Sequence, residues 1–457
     1  MLVLVDSTEN GEERFTMKKR CVFSLIVALT MTLAACSGGA SLEKKEGQQG
    51  QDGKKTVILS VLRANPMYSL AEKQYEEKHP NVDIQIKEYV KGEGSNQEGD
   101  IEKYVNTTNT ELLTGKGADL ISLDVKDLPV RKYVDKKVLV NLSSLMKEDA
   151  TFDSSQYEMN ILDGAKMNGG LYTLPLRFSL NGFMGDAKAI EESGVKFDDS
   201  KWTWSEFITV GKSLAASGGH TYSIGNTSRE QMLYDLFTDN YKRIVNEEKL
   251  PASFDTNEFA LLMEQVKTLF EEKVVTDAEV DAGDYFFASV WINYPADYFE
   301  MPSLIFEKGK GKIYNKPVAT GQQAGDSFTM QMTLGLNANS AVQAEAWDFM
   351  KFLMSEEIQT MPDHQSFSIH KTVNEKTLQD LQNKGSIESL MGSTIPVQKA
   401  DIDMIKQMMV NATTPEKHDS KIRTIITEEV KAYYSGQKSA QAVAELVANR
   451  VTTYLNE

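Results

Sequence analysis

The alternation of apolar runs with helical periods over residues 56–124 constrains this chain more than any other feature. Thr56–Leu62 reads TVILSVL, a β-rich run, and an Asn65-Pro66 turn signal leads into the helical pattern MYSLAEKQYEEKH, which Pro80 stops. Val82, Ile84 and Ile86 then alternate with Asp83, Gln85 and Lys87, the period of a half-buried strand. A polar loop, KGEGSNQEGD, precedes a helical pattern through Tyr104, Leu112 and Leu113, and Gly115-Lys116-Gly117 opens the buried strand ADLISLD. Strand, helix, strand, helix, strand in that spacing predicts a mostly parallel α/β sheet flanked by helices.

At 457 residues the chain exceeds the roughly 250–300 at which one hydrophobic core stops growing, so more than one core is expected. A second α/β-like block follows, with predicted helices around Trp204–Leu214, Arg229–Tyr241 and Glu258–Glu272 and the aromatic run DYFFASVWINYPADYF. A strand is predicted near Met330–Leu336, then an amphipathic helix whose Ala346, Phe349, Met350 and Leu353 share a face. The end, Lys421–Leu455, reads as helical with a break at Ser435-Gly436, and no fixed-period repeat is found.

With 66 acidic against 49 basic residues the formal charge is -17, which repels phosphate and argues against nucleic acid as a partner. Both cysteines, Cys21 and Cys36, lie near the N-terminus, so the body holds no disulfide framework, zinc–thiolate site or cysteine nucleophile. The order MKKR (residues 17–20), the uncharged run CVFSLIVALTMTL and the small residues after it is that of a secretory signal, so residues 1–35 are expected to be removed. The acidic segment ahead of Met17 suits no such signal, and translation is expected to begin at Met17. Leu33-Ala34-Ala35-Cys36 resembles the bacterial lipobox, which implies that Cys36 is diacylated and palmitoylated and anchors the protein at the outer face of the cell membrane. Residues 36–55, nearly all Gly, Gln, Ser and charge, read as a flexible tether spanning about 20–25 Å.

Five stretches together resemble the extracellular solute-binding proteins of family 1, the maltose-binding-protein-like lipoproteins of sugar ABC importers. AEKQYEEKHPNVDIQI (71–86) is similar to the family's "helix, then F-E-x-x-x-P-x-V-x-V", with Tyr75 for Phe, and GKGADLISLD (115–124) to its "G-x-x-P-D-V" strand, with Ala118 for Pro. NGGLYTLPLRFSLNGFMGDAKAIEESGV with WTWSEF after it (168–207) is similar to "G-K-x-Y-G-L-P" continuing to "T-W-D-E-F". LGLNANSAVQAEAWDFMKFLMSEEIQ (334–359) and an ending Y-x-S-G-x-x-S-A (433–440) complete the match. The resemblance implies a two-lobed periplasmic-binding-protein-like fold of type II, whose discontinuous lobes are joined by crossing strands: residues 56–178 and 326–368 in lobe 1, 179–325 and 369–457 in lobe 2. It implies a monomer that delivers a small solute, a sugar or oligosaccharide, to the transmembrane subunits of an ABC permease. Where the family has Tyr-Asn this chain has Phe183-Met184-Gly185-Asp186, which removes these four from the expected site.

A sugar needs flat apolar faces and fixed polar groups. In LPLRFSLNG, period-2 alternation sets Arg177, Ser179 and Asn181 on one face and Leu176, Phe178 and Leu180 on the other, and the polar face is expected to look into the cleft. From the aromatic run Tyr294, Asp297 and Tyr298 are the candidates; the two tyrosines are ranked above Trp291 because a phenol tolerates a wet edge. Arg63 and Asn65 after the first strand and Asp124 after the third are the lobe 1 candidates, with Arg229, Gln231 and Tyr234 behind them, while Trp202 and Trp204 are assigned to packing. No G-x-S-x-G, H-E-x-x-H, Walker A or EF-hand pattern occurs, so no catalytic residue, metal or cofactor is expected. Two rivals stay open: an exported glycoside hydrolase built on one of many acid pairs, and a surface adhesion or sensor lipoprotein.

Overall fold

The computed structural model describes residues 53–90, 97–247, 251–306, 311–319, 321, 327–361, 366–390, 392–417 and 419–456. The signal, Cys36 and nearly all of the tether lie outside them. Among the described residues the strands run, in chain order, as β1 (Lys55–Val61), β2 (Val82–Glu88), β3 (Leu120–Ser122), β4 (Leu174–Asp186), β5 (Tyr222–Ile224), β6 (Val245–Asn246), β7 (Ser253–Phe254), β8 (Tyr285–Ile292), β9 (Gly311–Tyr314), β10 (Ser327–Leu336), β11 (Phe367–Ser368), β12 (Ser386–Glu388), β13 (Thr394–Pro396) and β14 (Thr414–Pro415). One large mixed sheet has the order β2-β1-β3-β10-β4-β8-β5, with β9 and β11 also pairing β4 and β14 pairing β10. The expected βαβαβ unit is present, and β1 pairs β2 and β3 in parallel. The centre is otherwise: β3–β10, β10–β4 and β4–β8 are all antiparallel. The parallel arrangement inferred from residues 56–124 thus holds at the sheet's ends, and strands that cross back through the middle reverse it.

Local signals set the element ends. Asn65 caps the helix Pro66–Lys78 by accepting from the Met67 amide at 2.9 Å, and Pro66 occupies the first turn, where no amide is needed. Thr203 and Glu206 form a capping box on the helix Trp204–Ala216. Ala346, Phe349, Met350 and Leu353 of the helix Gln343–Met354 are all fully buried, as their spacing predicts. The C-terminal stretch divides into Ser420–Glu429, Lys431–Tyr434 and Ala440–Asn456, with Gly436 at φ 75° supplying the left-handed turn between the last two.

Three apolar clusters result. The first joins β1, β2, the helix Gln343–Met354 and the inner face of β4. The second gathers Phe183, Trp202, Trp204, Phe207 and Phe287 with the helices Thr256–Glu271, Ser420–Glu429 and Ala440–Asn456. The third packs the helix Gln97–Leu113 and the helix Val130–Asp135 on β3. Each fully buried aromatic contributes about 1.5–3 kcal/mol. Trp202 stacks on Phe197 at 4.8 Å and donates to the Asn315 carbonyl, as its packing assignment required. The departure at residues 183–186 also has its cause here. Phe183 is core, a Cβ on Gly185 would meet the Phe287 ring at 2.8 Å, and Asp186 caps the helix Ala187–Ser193 through the Ala189 amide.

Candidate functional site

The alternation on β4 is as read: Leu176, Phe178 and Leu180 enter the first cluster, and Arg177, Ser179 and Asn181 take the opposite face. The openness expected of that face is corrected, because every residue of β4 is buried. Arg177 is 2% exposed and donates from Nη1 to the Ser366 carbonyl at 3.1 Å and from Nη2 to the Gln359 carbonyl at 2.8 Å. The end of the helix Glu356–Gln359 and the residue before β11 supply these carbonyls, and β11 itself pairs β4 in the sheet at Arg177 and Phe178. Burial without a carboxylate partner pushes its pKa down to about 10. Ser179 is buried beside it. Asn181 donates to Ser327 Oγ at 3.4 Å, and its Oδ1 has no partner among the described residues.

Open surface begins one strand away. Trp291 on β8 lies directly opposite Asn181, so the two side chains share a face, and Trp291 is 59% exposed. Asn293 follows, exposed, its Oδ1 3.3 Å from Gln331 Nε2 of β10. Tyr294 is half-buried; burial and the charges of Asp297 and Glu300 raise its pKa. Asp297 is buried and accepts from the Asn293 amide at 2.9 Å, which fixes the turn. Tyr298 is 5% exposed and packs in the first cluster against Phe299. The preference for Tyr298 over Trp291 is therefore reversed. The signal was present: Ser289 and Trp291 alternate with Val290 and Ile292 as on a strand, whereas Asp297–Ile305 is a helix that turns Tyr298 inward.

On the other side of the floor stand the lobe 1 candidates. Met332, inside β10, has φ 50°, and the ladder to β4 skips it, pairing Gln331 with Arg177 and Thr333 with Pro175. Such a backbone costs about 1–3 kcal/mol and collects at functional positions. Beside it the Thr333 amide donates to Asp124 Oδ1 at 2.7 Å, and Asn65 Nδ2 lies 4.0 Å from Met332 Sδ. Ser122 donates to Asp124 Oδ2 at 3.0 Å. Asp124 has an exposed face and protein around its other sides. That enclosure raises its pKa against the two hydrogen bonds. The Tyr68 hydroxyl, buried near it, has no partner, and Arg63 is exposed with no ion pair among the described residues. Arg229 pairs with Asp277 at 2.6 Å, Gln231 with Asp235 and Arg423, and Tyr234 reaches the Asp419 carbonyl, so the three lesser candidates are engaged elsewhere.

A recess of about 400 Å3, open mouth included, adjoins Asn181 and is lined by Ser327, Thr414, Asp239, Lys316 and Glu416 among others. Lys316 Nζ lies 2.9 Å from Asp239 Oδ1. Burial, aided by Glu416 and opposed by Lys316, lifts Asp239 to about 6. Neither this recess nor any other group of His, Cys, Asp and Glu among the described residues is arranged to hold a metal ion.

The candidate site therefore consists of an exposed indole and amide side chains on the β4–β8–β10 face, with Asp124 and the Lys316 recess near it. The model of the bacterial extracellular solute-binding proteins matches residues 62–360. Among solved structures, a periplasmic oligogalacturonide-binding protein from Yersinia enterocolitica superposes with a TM-score of 0.63 at 15% identity, over 88% of this chain and 98% of that one. A cyclic alpha-maltosyl-1,6-maltose binding protein from Arthrobacter globiformis gives 0.61 at 12%, over 88% and 100%. An ABC substrate-binding protein from Listeria monocytogenes, solved with cycloalternan, gives 0.56 at 14%, over 88% and 99%. The fold is thus the two-lobed periplasmic-binding-protein-like one, and no helix among the described residues is long and apolar enough to cross a membrane. By the extent of the family match and the sheet that carries it, the chain belongs to the bacterial extracellular solute-binding proteins.

Proposed function

We propose that this protein captures a sugar or oligosaccharide between its lobes and delivers it to an ABC permease. The observation that carries the reading is the exposed Trp291 standing beside Asn181, with Asn293 and Gln331 on the same floor. An indole offers a flat apolar face to sugar C–H surfaces, and amides both donate and accept, which is what vicinal hydroxyls require. Asp124, Asn65 and Arg63 complete the floor from lobe 1, and Tyr294 borders it from lobe 2. The structural relatives named for sugars support the same class of ligand.

Lobe 1 takes residues near 56–178 and 326–368 and lobe 2 the rest of the body, with β4 and β10 crossing between them. Ligand contacts to both lobes favour the closed state, and hinge bending follows. The protein works as a monomer without enzymatic turnover, held at the outer face of the membrane by lipid on Cys36. A thermal-shift screen against neutral, acidic and cyclic oligosaccharides tests the ligand class. A ligand at a hundred times its Kd adds about 2.7 kcal/mol to native stability. Hydrolysis of a sugar that produces a shift would favour the glycoside hydrolase. Retention of the Cys36→Ser variant in the membrane fraction would remove the lipid anchor from the reading.

A further inference from the structure

Asp127 and Arg131, which follow β3, make polar contacts with the segments around Glu247 and Lys417, across the two proposed lobes. Arg131 sits on the helix Val130–Asp135, whose Tyr133 and Val134 belong to the third apolar cluster. Glu247 follows β6, whose Val245 belongs to the second, and Ser420 opens a helix of the second. Arg131 Nη1 lies 3.4 Å from Glu247 Oε2, and its Nη2 donates to the Glu247 carbonyl. Lys417 pairs with the same carboxylate, the Tyr241 hydroxyl donates to it, and Ser420 donates to Asp127. Among the described residues the second and third clusters share no member, and the bridges named here are polar.

We infer that Arg131 and Asp127 form a latch with Glu247 and Ser420 that holds the two lobes together without ligand. The inference rests on the two-lobe reading and adds to it that the closed state is populated before a solute arrives. The physical reason is that polar bridges exchange for water at little net cost, whereas a severed apolar core does not. A bridge of this kind can break and re-form at each cycle. Arg131 and Glu247 are both mostly withdrawn from solvent, at 17% and 13% side-chain exposure, so the pair is less screened than a surface pair and is able to bias a balanced equilibrium.

The body has no thiol, which makes a distance measurement direct. In the full chain carrying Cys21→Ser and Cys36→Ser, spin labels at Lys136→Cys and Lys242→Cys report the separation of the two sides by pulsed electron resonance, in the absence of any sugar. The expected result for this parent is a distinct short-distance population beside an open one. Arg131→Gln together with Asp127→Asn should shift the distribution to longer distances, the open-to-closed ratio rising roughly fivefold or more. Thermal unfolding of both is measured alongside, and an unchanged midpoint shows that the shift is opening and not loss of fold. Identical distributions in parent and variant overturn the latch, as does a parent with no short-distance population. Because no ligand is used, failure of the latch is distinct from failure of the sugar reading, which the thermal-shift screen decides.

Discussion

Two neighbouring strands of one sheet present polar side chains to the same face and use them in opposite ways. On β4 Arg177 and Ser179 are buried, and the guanidinium is spent on the carbonyls of Gln359 and Ser366. On β8 and the turn after it, Trp291 and Asn293 stay open to solvent. Both stretches have the alternating pattern of a strand with one apolar and one polar face, so pattern does not separate them. What separates them is cover: the end of the helix Glu356–Gln359 and the Ser366 carbonyl take up Arg177 on the first, whereas Trp291 stays 59% exposed. A polar side chain under cover is there because backbone acceptors near it need a donor. One without cover keeps its capacity for a ligand.

The comparison makes graded demands. The largest effect is expected from Tyr298→Ala, which removes a buried ring and should cost about 3–5 kcal/mol in urea unfolding, while Trp291→Ala should change stability by less than about 0.5 kcal/mol. If the two are equally destabilising, the assignment of one ring to the core and the other to the cleft fails. Arg177→Met comes next, at about 2–4 kcal/mol, because the Gln359 and Ser366 carbonyls lose their donors in a buried place. A variant of full stability and lost sugar affinity would return Arg177 to the site.

Trp291→Ala should weaken binding of the best sugar from the screen by about 2 kcal/mol, roughly thirtyfold, measured by calorimetry on folded protein. Wild-type affinity would move the stacking surface elsewhere, to Tyr294 first. The smallest effect concerns the recess. Asp239 is raised to about 6 in the fold, so its contribution is fully present below the carboxylate's unfolded pKa and is lost as pH rises through about 6. On going from pH 5 to pH 7 the native protein should lose on the order of 1–2 kcal/mol relative to Asp239→Asn, whose slope lacks this step. Parallel pH profiles would mean that Lys316 holds Asp239 ionised throughout.

Much of the frame was legible in residue order. The βαβαβ opening, the face of the helix Gln343–Met354, the caps at Asn65 and Thr203 and the family motifs all depend on neighbours within a few positions. Short-range periodicity and capping record such relations directly. The alternation on β4 was equally legible. Less visible was the antiparallel centre of the sheet, because it joins β10 to β3 and β4 across long separations that no local pattern encodes.

By itself, the sequence determined which residues can share a face, where helices begin, and that the body's charge is acidic and its chemistry free of thiols. The tertiary structure alone decided which polar faces are roofed. It buried Arg177 under the end of one helix and turned Tyr298 inward on another. It strained Met332 so that the Thr333 amide meets Asp124, and it brought Arg131 to Glu247. The reason is physical: periodicity fixes the direction of a side chain relative to its own backbone, whereas burial depends on which distant segment arrives above it.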